Sequence, residues 1–306
     1  MPVDGSSLVS QPVSDIRRRQ NHPRMLTLLR AMSTSHARAQ RLEALRLYLS
    51  AAIAVLGLFA TLFSAIATVV TIIGGLWALI HSIGLLSWTR KEVERAALLQ
   101  EMFDVQLFRL PWNAVLAGDP LAPEEVSKMA RGFRGRENEI RDYYEVPDLP
   151  RPFDVLACQE QNLSWGARIR QRYAFAVLML VILWSAAGVL LGSLLGVEVA
   201  DLVLRFYVPS LGALMMGLEI YHAQQLTAVT RLRILPVVHG QITQAMTHSG
   251  THRDLMIFAR QVQDVIFQTR TAHTRVPNYF FLRYRLQDRL DFQQSMRELS
   301  QLVNKT

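Results

Sequence analysis

The residues best suited to chemistry in this 306-residue chain are arginines. Arg131, Arg134 and Arg136 flank two glycines in the run RGFRGR, just after a predicted helix. Guanidinium forks beside glycine N–H groups suit a phosphate, although from composition alone the run reads first as a solvated basic turn. Trp165 with Arg168, Arg170 and Arg172 forms a second aromatic and basic cluster, which composition alone assigns first to anchoring at a membrane surface. His248 and His252 have the spacing of a metal pair. Ser-Gly-Thr between them weakens the helix that spacing needs, and no third ligand accompanies them, so no metal is expected. Cys158, the single cysteine, sits in the apolar context VLACQEQN as a packed thiol and fits a reducing compartment. P-loop, HExxH, GxSxG and CxxC motifs are all missing, so neither an enzyme nor a cofactor is expected.

The elements that position these residues are set by hydropathy. Between Tyr48 and Trp88 the chain runs 41 residues without Asp, Glu, Lys or Arg. As one helix that run would reach about 60 Å, twice the roughly 30 Å hydrocarbon core of a bilayer. It must therefore fold back as two spans. A third span reads over Tyr173–Gly196 and a fourth over Leu202–His222, joined by the turn Val197–Asp201. The fourth holds Arg205, Pro209 and Glu219; Asp201 can pair with Arg205 one turn away, and Pro209 is expected to kink the helix.

Charge sets the orientation. Of 33 basic residues only Lys91, Lys128 and Lys305 are not arginine, and both hairpin turns lack Lys and Arg. By the positive-inside rule the turns face away from the cytosol and both termini are cytosolic. The basic tails also suit anionic lipid. The expected layout is a disordered tail over 1–24, a basic helix over 25–46, a transmembrane hairpin over 47–88 and a cytosolic helical region over 89–172. A second hairpin over 173–222 and a cytosolic helical region over 223–306 complete it. Within the central region Pro123, Glu124, Glu125 and Lys128 mark a short helix, with Gly132 as its cap. The C-terminal region breaks near Ser249–Gly250 and at Pro277, and Phe292, Met296, Leu299 and Val303 give its last piece an apolar face. The fold class is an all-α membrane protein with four transmembrane helices in two hairpins.

The first span carries Ser50, Gly57, Thr61, Ser64 and Thr68 at spacings that share one helix face. Small and hydroxyl residues support close helix packing in lipid, or line a pore when protomers assemble. His81 is a candidate gate or interhelix bond, because an ionisable group at membrane depth is a functional candidate by default.

The segment Gln100–Val126 resembles the SMODS-associating four-transmembrane effector family. The core Q-E-x-F-D-x-x-x-F-x-L-P-W-N is met by Gln100, Glu101, Phe103, Asp104, Phe108, Leu110, Pro111, Trp112 and Asn113. DYYEVPDLP, Cys158–Ala174 and Val276–Arg285 are similar to further family motifs in the same order, with Tyr143 where the family has Trp. The resemblance implies a membrane effector of antiphage defence (of the CBASS type), resident in the bacterial inner membrane, that oligomerises on binding a cyclic oligonucleotide and permeabilises that membrane. It makes Arg131, Arg134, Arg136, Trp165 and Arg168 ligand candidates, with lipid and a second copy of the chain as partners and no DNA. Pro111 is expected to end a helix and Trp112 to pack the cytosolic region or wall a pocket. The alternatives are a non-conducting membrane scaffold and a constitutive channel or transporter.

Overall fold

The computed structural model describes residues 15–83, 86–145, 149–247, 252–272, 275–277, 279–280 and 283–284, and among these every regular element is helical. Helix α1 (Ile16–Arg19) is a single turn, and α2 (Pro23–Leu62) opens with Pro at its first position, where the missing N–H costs nothing. The tail expected to be disordered through residue 24 is ordered from Asp15, because Ile16 buries its side chain and Gln20 bonds both polar backbone groups of Tyr144. Helix α2 carries a polar half and an apolar half along one axis. It ends at Leu62, where Phe63 turns extended and a 3-10 turn over Ser64–Ile66 leads into α3 (Ala67–Ile83). Ser64 and Thr68 therefore lie beyond the helix that was expected to carry them on one face. The uncharged run has no proline, glycine or charged residue at that point to mark the hairpin.

Helix α4 (Leu86–Phe108), α5 (Ala114–Ala117) and α6 (Pro123–Ala130) follow, the last with Pro123 at its start and Glu124 and Glu125 in its first turn. Gly132 is not a left-handed cap; it gives room to Thr34, which a Cβ would approach to 2.9 Å. Helix α7 (Phe153–Leu195) is 43 residues long and stops at Gly196, whose φ of +61° allows Val197 N–H to bond Gly192 C=O. After α8 (Val199–Leu202) a wide π turn over Val203–Tyr207 precedes α9 (Val208–Thr247), and α10 (His252–Thr271) closes the set. Pro209, expected to kink the span, sits in the first turn of α9; the π turn before it accommodates the N–H it lacks. His248 and the face formed by Phe292, Met296, Leu299 and Val303 lie outside the described residues.

Among the described residues four helices are long and apolar enough to cross a membrane, and the protein is a multi-pass membrane protein. Large apolar side chains such as Phe59, Ile72, Leu183 and Leu194 point outward, while Ala54, Gly57, Ala60 and Ser210 are buried between the spans. Pro209 wedges between the first two spans. A Cβ on Gly57 would stand 2.7 Å from Pro209 Cβ, and one on Gly74 would collide with Pro209 Cα. Below the bundle, the extramembrane ends of α2, α4, α7, α9 and α10 share one core, including Leu29, Met32, Leu99, Phe103, Leu156, Ile242 and Ile266.

Gly74→Val places two methyl groups where Pro209 backbone already stands. We expect a loss of roughly 1–3 kcal/mol, read as a lower melting temperature of the detergent-solubilised protein. Gly75→Val meets open space and leaves the melting temperature unchanged.

Candidate functional site

Three polar residues of α4 stand at i, i+1, i+4 spacing; Glu101 and Asp104 reach α10, and Gln100 reaches the segment before α7. Glu101 accepts from Arg260 Nη2 at 2.7 Å and from Gln263 Nε2 at 2.8 Å. Asp104 accepts from Arg270 Nη1 at 2.6 Å, from Gln263 at 3.0 Å and from the Tyr144 hydroxyl at 2.8 Å. Gln100 Nε2 donates to the Tyr143 hydroxyl at 2.5 Å. On α10 the partners recur every three to seven residues and so share a face. Asn113 accepts from Leu116 N–H at the start of α5 and donates to Asp264 at 3.1 Å, while Arg260 also donates to Pro111 C=O. Phe103 fills the space beneath with its ring edge-to-face on Tyr143, and Trp112 donates to Gly118 C=O. Glu101, Asp104, Pro111 and Asn113 of the motif thus clamp α10 to the end of α4, while Gln100, Phe103 and Trp112 hold the segments beside it.

The clamp is dry. Asp104 is 0% exposed. Burial alone would weaken the Arg270 cation; the charge of Asp104, with smaller help from Tyr144, Tyr143 and Glu101, reverses this and raises its pKa above the ordinary arginine value. Burial raises the Glu101 pKa, and the hydrogen bonds from Gln263 and Arg260 only partly offset it. Burial and then the Asp104 charge push the Tyr144 phenol well up, which keeps it a donor.

A second polar junction ties three spans near one end of the bundle. Arg46 of α2 is buried, with its Nη2 2.8 Å from His81 Nε2 of α3 and 3.4 Å from Glu219 of α9. Since arginine only donates, His81 is the acceptor and carries its proton on Nδ1. His81 is therefore an interhelix bond. Ser50 accepts from Trp77 Nε1 at 2.9 Å, Thr61 donates to Gly57 C=O, and Gly57 meets Pro209, so these three serve packing inside one protomer. Ser64 is exposed. Asp201 and Arg205 form the expected ion pair at 2.7 Å.

The other sequence candidates fall on two separate elements. Arg131, Arg134 and Arg136 are exposed on a loop that folds on itself: Gly135 lies against the Phe133 ring, and Arg136 N–H bonds Glu139. Trp165 and Arg168 are half-buried on α7. Two further arginines are held deep in the fold. Arg170 is buried and bonds Gln224, and Arg231 is buried with donors on Thr269 Oγ1 and Asn162 C=O, both at 3.1 Å. The signal that could have found Arg260, Gln263 and Arg270 is their common face on an otherwise amphipathic helix.

Removing one partner of the dry pair is expected to be severe. Asp104→Ala should cost roughly 3–5 kcal/mol, measured by thermal or denaturant unfolding in detergent, with Asp104→Ala/Arg270→Met losing less than the single variant. Glu101, with its pKa raised by folding, stabilises most below its unfolded value near 4.5 and less as pH rises through its folded value. Glu101→Gln should therefore improve relative to wild type as pH is raised through that window.

The sequence profile of the SMODS-associating 4TM effector domain matches residues 14–299. A probable CBASS effector molecule of Bacillus cereus (strain VD146) is 25% identical over 208 residues, covering 66% of this chain and 70% of that relative. No solved structure matches. With four apolar spans, the clamp built from the Q-E-x-F-D and L-P-W-N residues, and a profile match over nearly the whole length, the chain belongs to the SMODS-associating 4TM effector domain family.

Proposed function

We propose that this protein is a membrane effector of a cyclic-nucleotide-signalled antiphage defence system, resident in the bacterial inner membrane with both termini cytosolic. On binding a cyclic oligonucleotide it self-associates and permeabilises the membrane. Family membership and the name of the Bacillus cereus relative support the defence role. The structural observation that carries the coupling is the continuity of α2, α7 and α9, each of which is 40 residues or more and runs from the clamped core into the bundle. Positive residues outside the spans and their lack in both turns support the orientation.

The geometry also constrains how a pore would arise. Ser50, Gly57 and Thr61 are already buried in contacts within one protomer, so a water path through a single bundle would have to break them. A conducting path therefore forms between protomers, lined by outward residues such as the exposed Ser64 and Thr68 near the hairpin turn. The alternative, a non-conducting scaffold, needs no such path.

The test is dye release from liposomes containing the full-length protein, with cyclic di- and trinucleotides added one at a time. Release with one of them, together with larger assemblies on crosslinking, is the expected result. Measured binding without release of dye or ions would overturn permeabilisation and leave the scaffold. Ser64→Leu/Thr68→Leu should reduce release while keeping binding.

A further inference from the structure

A groove of about 480 Å³ opens where the far ends of three helices meet. Arg109 and Pro111 follow α4, Arg151 precedes α7, and Arg253, Met256 and Arg260 come from the first turns of α10. The volume lies in the range of small-molecule sites. Its walls combine an apolar floor with arginines, and among the described residues no carboxylate lines it. Arg260 is committed to Glu101 and Asp264, and Arg151 donates once to Phe108 C=O, which leaves Arg109, Arg151 and Arg253 as the charges available to a guest.

Arg109 carries the most information. It has φ +51°, and Leu110 N–H bonds Val105 C=O, the bond pattern of a left-handed helix stop. Glycine is the usual residue there because a side chain is strained at positive φ. A long cation at this position, largely exposed and only partly engaged by Asp15 at 3.2 Å, indicates a requirement for the side chain itself. Its charge also reaches its neighbours: burial lowers the Arg151 pKa, Asp154 opposes this, and Arg109 adds to the lowering.

We propose that this groove, not the exposed Arg131–Arg136 loop, is the receptor site for a soluble nucleotide, whose phosphodiesters meet Arg109, Arg151 and Arg253 while a base lies on the apolar floor. This rests on the ligand-triggered reading above and gives it a location. Anionic lipid offers the same phosphodiester chemistry, but position disfavours it. Twenty residues of α7 separate Arg151 from the span that starts near Tyr173, and 23 residues of α4 separate Arg109 from its membrane end. Either path is about 30 Å of helix. A guest here would bridge the ends of α4, α7 and α10 and so bias the helices that enter the bundle.

The test uses full-length protein in nanodiscs, titrated with cyclic di-AMP, cyclic di-GMP, cyclic GMP-AMP and cyclic tri-AMP. For the member that binds, Arg253→Glu and Arg109→Gly should each weaken binding at least tenfold, and Arg253→Lys should retain most of it. Arg109→Gly should melt at or above the wild-type temperature, separating lost binding from lost fold. Arg134→Glu/Arg136→Glu should bind as wild type. Weakening by the loop variant alone, or equal binding by Arg253→Glu and Arg109→Gly, overturns the groove while the ligand-triggered reading stands. Binding that requires phosphatidylglycerol in the nanodisc and is lost in phosphatidylcholine assigns the site to lipid and overturns it too. No binding by any of the four to wild type overturns the groove and the ligand-triggered reading together.

Discussion

A carboxylate with no access to water must be surrounded by donors, and Asp104 meets that demand with three side chains drawn from distant parts of the chain. Arg270 and Gln263 come from α10, more than 150 residues away in sequence, and Tyr144 from the segment before α7. An ion this deep would be strongly disfavoured if any of them were misplaced. The pairing therefore dictates where α10 lies on α4, and with it where Arg260 can reach Glu101 and the carbonyl of Pro111. The apolar core supplies most of the stabilisation around it, while the ion pair supplies the register.

The membrane half obeys the opposite rule. Hydrocarbon gives no reward for bringing apolar side chains together, so the spans hold by close approach. Gly57 and Gly74 let Pro209 enter between them, and hydroxyl and indole groups bond across helices, as in Trp77 to Ser50 and Trp184 to Ser210. The two halves meet at arginines. Arg46, Arg170 and Arg231 are each buried and each bonded to a neighbouring element, so the boundary between lipid and domain is a polar seam and not a flexible joint.

Much of this was legible in the residues. Three charge-free spans and a fourth apolar stretch holding Arg205 and Glu219 were readable, Asp201 and Arg205 stood one turn apart, and Pro123 with its two glutamates marked α6. The hairpin turn at Phe63–Ile66 was not legible, because nothing in an unbroken apolar run distinguishes the residue at which a helix reaches the far side. The roles of Arg46, Arg170 and Arg231 were hidden because a basic residue beside a span has the same composition whether it signals orientation or bonds a neighbour. The motif from Gln100 to Asn113 could be recognised, but its partners on α10 could not, since pairings over such separations are set only by the finished fold. The groove was least legible: its walls are three helix ends that sequence keeps far apart.

The unbroken length of α7 has a mechanical consequence. Its 43 residues make a rod of about 65 Å, gripped at the seam and free of breaks on either side. Such a rod acts as a lever with arms of similar length. A tilt of about 5° at the seam would carry each tip some 2–3 Å, given the rise of about 1.5 Å per residue. Gly188 lies so close to the Phe206 ring that an added Cβ would stand 2.3 Å from it, so the membrane end would re-seat its neighbours in following such a tilt. Small angular inputs would thus be converted into discrete repacking rather than graded bending.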